Sequence, residues 1–137
     1  MDRIELWKDR EKRIIDPELF SKVAEDWAKK INSDRTQNGK KKDKINKRTQ
    51  LRKFYDEVVR LSTLAKSRRK EWENILPMVH MLTAKAAYAR GRDLISPNFM
   101  ELIRGSVEQV KEPEDLDLFA NFFEAFMGFY RLYGPSN

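Results

Sequence analysis

The fold is decided by residues 46–92, which begin Asn46-Lys47-Arg48-Thr49-Gln50-Leu51-Arg52-Lys53-Phe54-Tyr55 and end Lys85-Ala86-Ala87-Tyr88-Ala89-Arg90-Gly91-Arg92. Apolar residues recur at intervals of three and four through the first part, as on one face of an α-helix. This stripe weakens at Ser67-Arg68-Arg69-Lys70, so the helix either kinks there or leaves the core and returns. We predict two helices joined at Leu76-Pro77, basic at both ends and apolar between.

The second of these helices is apolar on nearly all sides. Such a helix in a soluble protein is typically central and buried. Lys85 and Arg92 are seven residues apart and therefore share a face. A lysine on a buried helix must reach water, a carboxylate or a phosphate, because an unpaired buried charge is costly.

Three pairs of a capping residue and a proline predict further helix starts: Asp16-Pro17, Ser96-Pro97 and Glu112-Pro113. Each is followed by an apolar stripe, and residues 3–13 favour a short additional helix. With only five glycines and five prolines, the chain has few of the turns that a sheet needs. We expect an all-α fold, a compact bundle of five to six helices, forming a single domain over residues 1–137. Residues 33–46 are expected to form a mobile basic loop within it, since the stretch from Ser33 to Lys44 has no apolar residue.

Six aromatic residues between positions 119 and 130 crowd the last predicted helix. Two interpretations are equally favoured. The helix is either the centre of the core or a surface for self-association or a partner.

The net charge of +6 is unevenly distributed along the chain. Residues 1–34 carry a net charge of −1, residues 35–92 a net charge of +12, and residues 93–137 a net charge of −5. A basic middle segment indicates a polyanionic partner. The aromatic residues follow core periodicity and do not alternate with basic ones, so we expect contacts to backbone phosphates with little reading of sequence.

No catalytic constellation is evident in the sequence. The chain has no cysteine, and its one histidine, His80, is interpreted as a core histidine on an apolar helix. No spacing of His, Asp or Glu resembles a metal site, and we expect neither an enzyme nor a cofactor. No apolar run suits a signal peptide or a membrane span, which favours a cytoplasmic protein without membrane contact.

The basic residues differ in how many acidic residues lie near them in sequence. Lys53 and Arg60 lie beside Asp56 and Glu57, and such neighbours on a helix tend to pair. Cations with fewer acidic neighbours are stronger candidates for an external anion. On charge alone, these candidates include Arg68, Arg69 and Arg90.

Three stretches, in order, resemble one protein family. They are Thr49-Gln50-Leu51-Arg52-Lys53-Phe54-Tyr55-Asp56-Glu57-Val58, then Leu76-Pro77 with Lys85, Tyr88 and Arg92, and last Leu118-Phe119-Ala120-Asn121-Phe122-Phe123-Glu124-Ala125-Phe126 with Tyr130 and Tyr133-Gly134. This pattern, over about residues 46 to 134, is similar to the small subunit of the type III-A CRISPR effector (Csm) complex.

The resemblance implies a non-catalytic, all-helical subunit. Several copies would stack along the guide RNA–target RNA duplex, beside the backbone and large subunits, and hold phosphates without sequence specificity. The residues that it implies for RNA binding are Arg48, Arg52, Lys53, Lys85 and Arg92. The alternative is a self-associating helical adaptor or scaffold protein whose basic face is incidental.

Overall fold

The computed structural model describes residues 3–137 and contains five α-helices and one short β-hairpin. In chain order the elements are α1 (Ala24–Ser33), β1 (Thr36–Gln37), β2 (Lys40–Lys41), α2 (Arg48–Ser67), α3 (Trp72–Gly91), α4 (Pro97–Val107) and α5 (Pro113–Tyr133). A π-helical turn over Leu19–Val23 leads into α1, and a 3₁₀ turn over Arg69–Glu71 leads into α3. The predicted all-α bundle of five to six helices is confirmed.

Helix α5 forms the centre of the core. It packs against α1 and α2, while α3 packs mainly against α4 and α2. Phe119, Phe122, Phe123 and Phe126 have no exposed surface. The Phe123 ring contacts those of Phe119 and Phe126, and Phe99 of α4 contacts Phe123 and Phe126. These aromatic residues belong to the core, which decides between the two interpretations of the last helix.

Helix α3 is not the central, buried helix that the sequence suggested, and that prediction is wrong. Its buried residues lie on one face at helical spacing: Ile75, Val79, Leu82, Ala86 and Ala89. The opposite face is exposed, with Met78 at 38% and Met81 at 53% of their full surface. Alanine occupies both faces and methionine the exposed one, so the solvent side has fewer polar residues than normally mark it.

The two long helices are joined at Ser67–Trp72, so the predicted joint at Leu76-Pro77 is also wrong. The backbone leaves helical geometry at Arg68, with φ −131° and ψ 56°. Pro77 instead lies in the second turn of α3. There it removes one backbone hydrogen bond, and the helix continues through it. The helix is interrupted instead at the basic run before Glu71, because that run has no apolar side chain to pack on the core.

Residues 3–15, which we call the N-terminal strap, contain no helix, so the helix predicted at 3–13 is wrong. Their second half is a turn closed by a bridge between Asp9 and Ile14. The Leu6 N–H donates to Gln109 Oε1 (2.9 Å), and Gln109 Nε2 donates to the Ile4 carbonyl (2.7 Å). Ile4 and Leu6 are buried in the core. The strap therefore pairs part of its backbone with a side chain just past the end of α4 and part with itself, in the antiparallel bridge between Asp9 and Ile14.

The segment 33–46, expected as a mobile loop, contains the β1–β2 hairpin. Gln37 pairs with Lys40 across Asn38 and Gly39, which have φ of 52° and 75°. Two consecutive positive φ angles are what a tight hairpin turn requires, and Asn-Gly is the preferred sequence for it. The mobility of this segment stays a prediction.

The helix starts at Ser96-Pro97 and Glu112-Pro113 are confirmed. The Ser96 hydroxyl accepts from the Phe99 N–H (3.3 Å). Glu112 and Asp115 form a reciprocal capping box at the start of α5.

Candidate nucleic-acid interface

A groove between α2 and α3 collects basic side chains from both helices. We call it the α2–α3 groove. It encloses about 370 Å³, and its lining residues are Gln50, Lys53, Phe54 and Glu57 of α2, Leu82, Lys85, Tyr88, Ala89 and Arg92 of α3 and the following turn, and Leu94. The spacing of three and four along each helix places these side chains on facing stripes.

The floor of the groove is apolar and its rim is charged. Phe54, Leu82 and Ala89 are buried, whereas Lys53 and Lys85 are exposed at the rim. A cation above an apolar floor keeps its aliphatic stem on the protein and its charge in water. The groove can therefore hold an anion without burying an unpaired charge.

Glu57 is the one acidic residue among the described residues that line the groove. It accepts from Arg60 Nε (2.8 Å) and Nη2 (3.0 Å), and Lys85 Nζ lies 3.4 Å away. The hydrogen bond from Arg60 lowers the pKa of Glu57, with help from Lys85 and against the effect of burial. Glu57 therefore stays ionised at neutral pH and neutralises part of the charge of Lys85.

Lys53 and Arg92 form no ion pair with any residue in the described range 3–137. The expected pairing of Arg60 with the neighbouring acidic residues is confirmed, but that of Lys53 is wrong because Glu57 turns towards Arg60 and Lys85. The Arg92 guanidinium lies 5.6 Å from the centre of the Tyr88 ring, which is 68% exposed. Both cations remain available to an external anion.

Arg48 and Arg52 lie on the first two turns of α2 and do not line the groove. Arg48 Nη2 donates to the Ser136 carbonyl (2.7 Å), which ties the start of α2 to the end of the described chain. Arg52 lies 3.9 Å from Asp56, with both side chains largely exposed. Such an exposed pair opens at little cost.

The three candidates chosen on charge alone are paired. Arg68 lies 3.7 Å from Glu71, and Arg69 forms an ion pair with Glu114 of α5. Arg90 donates to Asp93 (3.0 Å) and to the Ile95 carbonyl. The groove therefore brings together Lys53, Lys85 and Arg92 from the eight predicted residues.

At the other end of α2, several basic side chains form ion pairs with carboxylates of the fold. We call this region the strap end: the N-terminal strap, the α2–α3 connection and the α4–α5 turn. Lys66 pairs with Asp117 (2.7 Å) and Arg13 with Glu112 (3.2 Å).

The centre of the strap end is Asp115, a fully buried carboxylate. It accepts from Trp7 Nε1 (2.8 Å), Arg10 Nη1 (2.9 Å) and the N–H groups of Lys111 and Glu112 (both 2.9 Å). Burial opposes its charge, but these donors outweigh burial and lower the pKa of Asp115. The carboxylate is therefore ionised and fully satisfied within the fold.

Sequence reasoning missed the parts of the groove contributed by Gln50 and Tyr88. A helical projection carries the signal, because Gln50 lies three residues before Lys53 on α2. Tyr88 lies between Lys85 and Arg92 at offsets of three and four. A helical projection does not show which stripe of α2 faces α3.

The described residues hold no group of three or more His, Cys, Asp or Glu side chains placed to bind a metal ion. His80 is exposed on α3, so its interpretation as a core histidine is wrong. Among the helices of residues 3–137, none combines the length and hydropathy needed to cross a membrane.

Comparison with known families gives one match, to the family described as Csm2 Type III-A, over residues 15–136. Searches of curated proteins and of solved structures found no significant match. The matched range contains the whole α2–α3 groove and excludes most of the N-terminal strap. The chain therefore belongs to the Csm2 family, whose members are the small subunit of the type III-A CRISPR complex.

Proposed function

We propose that this subunit holds the phosphate backbone of RNA in the α2–α3 groove. Several copies would stack along the guide RNA–target RNA duplex of a cytoplasmic effector complex, beside the backbone and large subunits. In this role the chain is non-catalytic and positions RNA for the other subunits.

The convergence of Lys53, Lys85 and Arg92 around one groove is the observation that carries the proposal. These residues are far apart in sequence but meet where α2 faces α3. Two of the three have no acidic partner among residues 3–137, whereas Arg13, Lys66 and Arg69 at the strap end are each paired with a carboxylate. Cations kept without partners are suited to an anion that arrives from outside.

The groove favours contact with the backbone over the reading of bases. Its cations are long side chains at an exposed rim, and such groups bind phosphate as charges without sequence information. Tyr88 adds an exposed ring that accepts any base or sugar face. We therefore expect similar affinity for unrelated RNA sequences.

The exposed face of α3 supports the stacking of copies and is also the observation in favour of the alternative, a self-associating adaptor. Met78 and Met81 lie next to each other on that face, and flexible methionine side chains suit a protein contact. Residues 93–137 carry a net charge of −5 and residues 35–92 one of +12, so unlike surfaces of two copies attract.

The test is fluorescence anisotropy of a labelled single-stranded RNA of about 20 nucleotides over a range of salt concentrations. Wild-type affinity should fall linearly with log salt, at about −0.7 per phosphate contacted. A triple variant, Lys53→Gln with Lys85→Gln and Arg92→Gln, should make that slope shallower by about 2, because three contacts are lost.

The matched control neutralises three exposed lysines away from the groove: Lys8→Gln, Lys12→Gln and Lys70→Gln. It makes the same change in net charge and should leave the slope within error. Equal losses in the two variants, or no binding by wild type even at low salt, would contradict a phosphate-binding groove and favour the adaptor.

A further inference from the structure

The β1–β2 hairpin and its flanks form the most basic part of the chain outside the groove. Residues 35–48 hold seven lysines or arginines against one acidic residue, Asp43. Lys40, Lys41, Lys42 and Lys44 are all exposed, and none forms an ion pair with a residue in the range 3–137. This density of unpaired charge is costly in self-repulsion unless an anion relieves it.

The hairpin presents these lysines on a fixed base. Arg35 is buried and donates from Nε to the Ile45 carbonyl (3.0 Å) and from Nη2 to the Asp43 carbonyl (3.2 Å). Its guanidinium also lies 4.0 Å from the Asp43 carboxylate. The arginine therefore closes the neck of the hairpin and leaves the lysines unpaired.

Asn46 anchors the far end of the segment in the core. Its side-chain amide donates to the Ile31 carbonyl (3.1 Å) and to Ser96 Oγ (2.9 Å), and its backbone carbonyl accepts from the Tyr130 hydroxyl (2.6 Å). Asn46 is fully buried with a left-handed φ of 55°. A buried, fully bonded residue at this bend sets the direction in which the hairpin leaves the bundle.

The hairpin and the groove meet at the turn between α3 and α4. A second cavity, of about 440 Å³, has three lysines and two carboxylates in its lining: Lys41, Lys42, Lys44, Asp43 and Asp93. Asp93 adjoins Arg92 and Leu94, which line the groove, and the Asn46 N–H donates to the Leu94 carbonyl (3.0 Å). The basic side chains of the groove and those of the hairpin thus lie on the two sides of this turn, with Asp93, which pairs with Arg90, between them.

We propose that the β1–β2 hairpin is a second phosphate-binding segment, which extends the track of the RNA beyond the groove. The inference rests on the proposed function, because it assigns the same ligand class to an adjoining surface. The RNA backbone lies along Lys53, Lys85 and Arg92 and continues over Lys40, Lys41, Lys42 and Lys44.

The experiment uses the full chain and a labelled 20-nucleotide RNA, with anisotropy measured against salt. The hairpin variant carries Lys40→Gln, Lys41→Gln, Lys42→Gln and Lys44→Gln, all at exposed positions where folding should be unaffected. Its slope of log affinity against log salt should be shallower by about 2 to 3 than that of wild type. The thermal midpoint should match that of wild type.

The matched control neutralises four exposed lysines at the strap end: Lys8, Lys12, Lys70 and Lys111, each to Gln. If the slope becomes equally shallow in the control and hairpin variants, the inference is overturned, since the change in net charge alone then explains the effect. A hairpin variant with the wild-type slope also overturns it, and the groove remains the RNA site if the Lys53/Lys85/Arg92 variant still loses slope.

Two further outcomes bear on the partner. Wild type that binds no RNA at low salt overturns the proposed function and this extension together. The hairpin variant can also keep the wild-type RNA slope but lose self-association in sedimentation velocity. The lysines would then bind the acidic surface of a second copy, and the proposal that RNA lies along the hairpin would be overturned.

Discussion

The two ends of the α2–α3 pair are both basic in sequence but use their charges differently. At the strap end, Arg69 pairs with Glu114 and Lys66 with Asp117, both on α5. At the groove end, Lys53 and Arg92 find no acidic partner among residues 3–137, and Lys85 shares Glu57 with Arg60. The arginines and Lys66 at the strap end form ion pairs within the fold, whereas we propose that the cations at the groove end are kept for a ligand.

The difference arises from tertiary structure and not from local composition. Arg69 has Glu71 close by in sequence, yet its partner Glu114 comes from 45 residues further along. Lys53 has Glu57 one turn away on its own helix, yet that carboxylate is held by Arg60 and Lys85. A count of the acidic residues nearby in sequence therefore ranks Arg69 above Lys53 as a candidate for an external anion, whereas within the described range Arg69 is paired and Lys53 is not.

The largest effect should come from Asp115→Asn at the strap end. The change keeps the shape but removes the charge that Trp7, Arg10 and two backbone N–H groups share. We expect a loss of about 3 kcal/mol in the free energy of unfolding, typical of breaking a buried charge network. Urea unfolding followed by tryptophan fluorescence measures it.

The control for Asp115→Asn is Glu114→Gln on the same turn. Its ion pair with Arg69 is largely exposed and should contribute less than about 1 kcal/mol. Equal losses in the two variants would mean that the strap end is not organised by Asp115.

The same carboxylate predicts a dependence of stability on pH. The pKa of Asp115 is lowered in the folded state, so its contribution is complete above the ordinary Asp value of about 3.9 and is lost as the pH falls through the folded value. The difference in unfolding free energy between wild type and Asp115→Asn should be full at pH 7 and shrink below about pH 4. A difference that grows in acid would contradict this assignment.

A smaller effect of opposite sign is expected from Glu57→Gln in the groove. The change removes the negative charge beside the cations and releases Lys85 from its pair. RNA binding at low salt should tighten by about two- to fivefold, the equivalent of one exposed ion pair. Fluorescence anisotropy measures the change in affinity, and Asp56→Gln, on the outer side of α2, is the control. Weaker binding by the Glu57→Gln variant would show that Glu57 orients Lys85 for the ligand.

Much of the fold could be predicted from the sequence because its signals are local. The starts of α4 and α5 follow from Ser96-Pro97 and Glu112-Pro113, whose capping interactions form within one turn. The strap and the α2–α3 joint could not be predicted this way. The strap depends on Gln109 and Asp115, about 100 residues away, and the joint depends on where the basic run leaves the core.

The candidate site could be predicted in part, to the extent that its signals are also local. Lys85 and Arg92 share a face of one helix, which the spacing alone establishes. Their meeting with Lys53 depends on the packing of α3 against α2, and the low polarity of α3 hides which of its faces is buried. The separation of Arg68 and Arg69 from the groove likewise follows from packing.

The most direct test compares charge-matched triple variants of the two ends in the same salt titration with RNA. One carries Lys53→Gln, Lys85→Gln and Arg92→Gln, and the other Lys66→Gln, Arg68→Gln and Arg69→Gln. The groove variant should make the slope of log affinity against log salt shallower by about 2 at an unchanged urea midpoint. The strap-end variant should keep the slope and lower the midpoint. A slope lost at the strap end and kept at the groove would contradict the account.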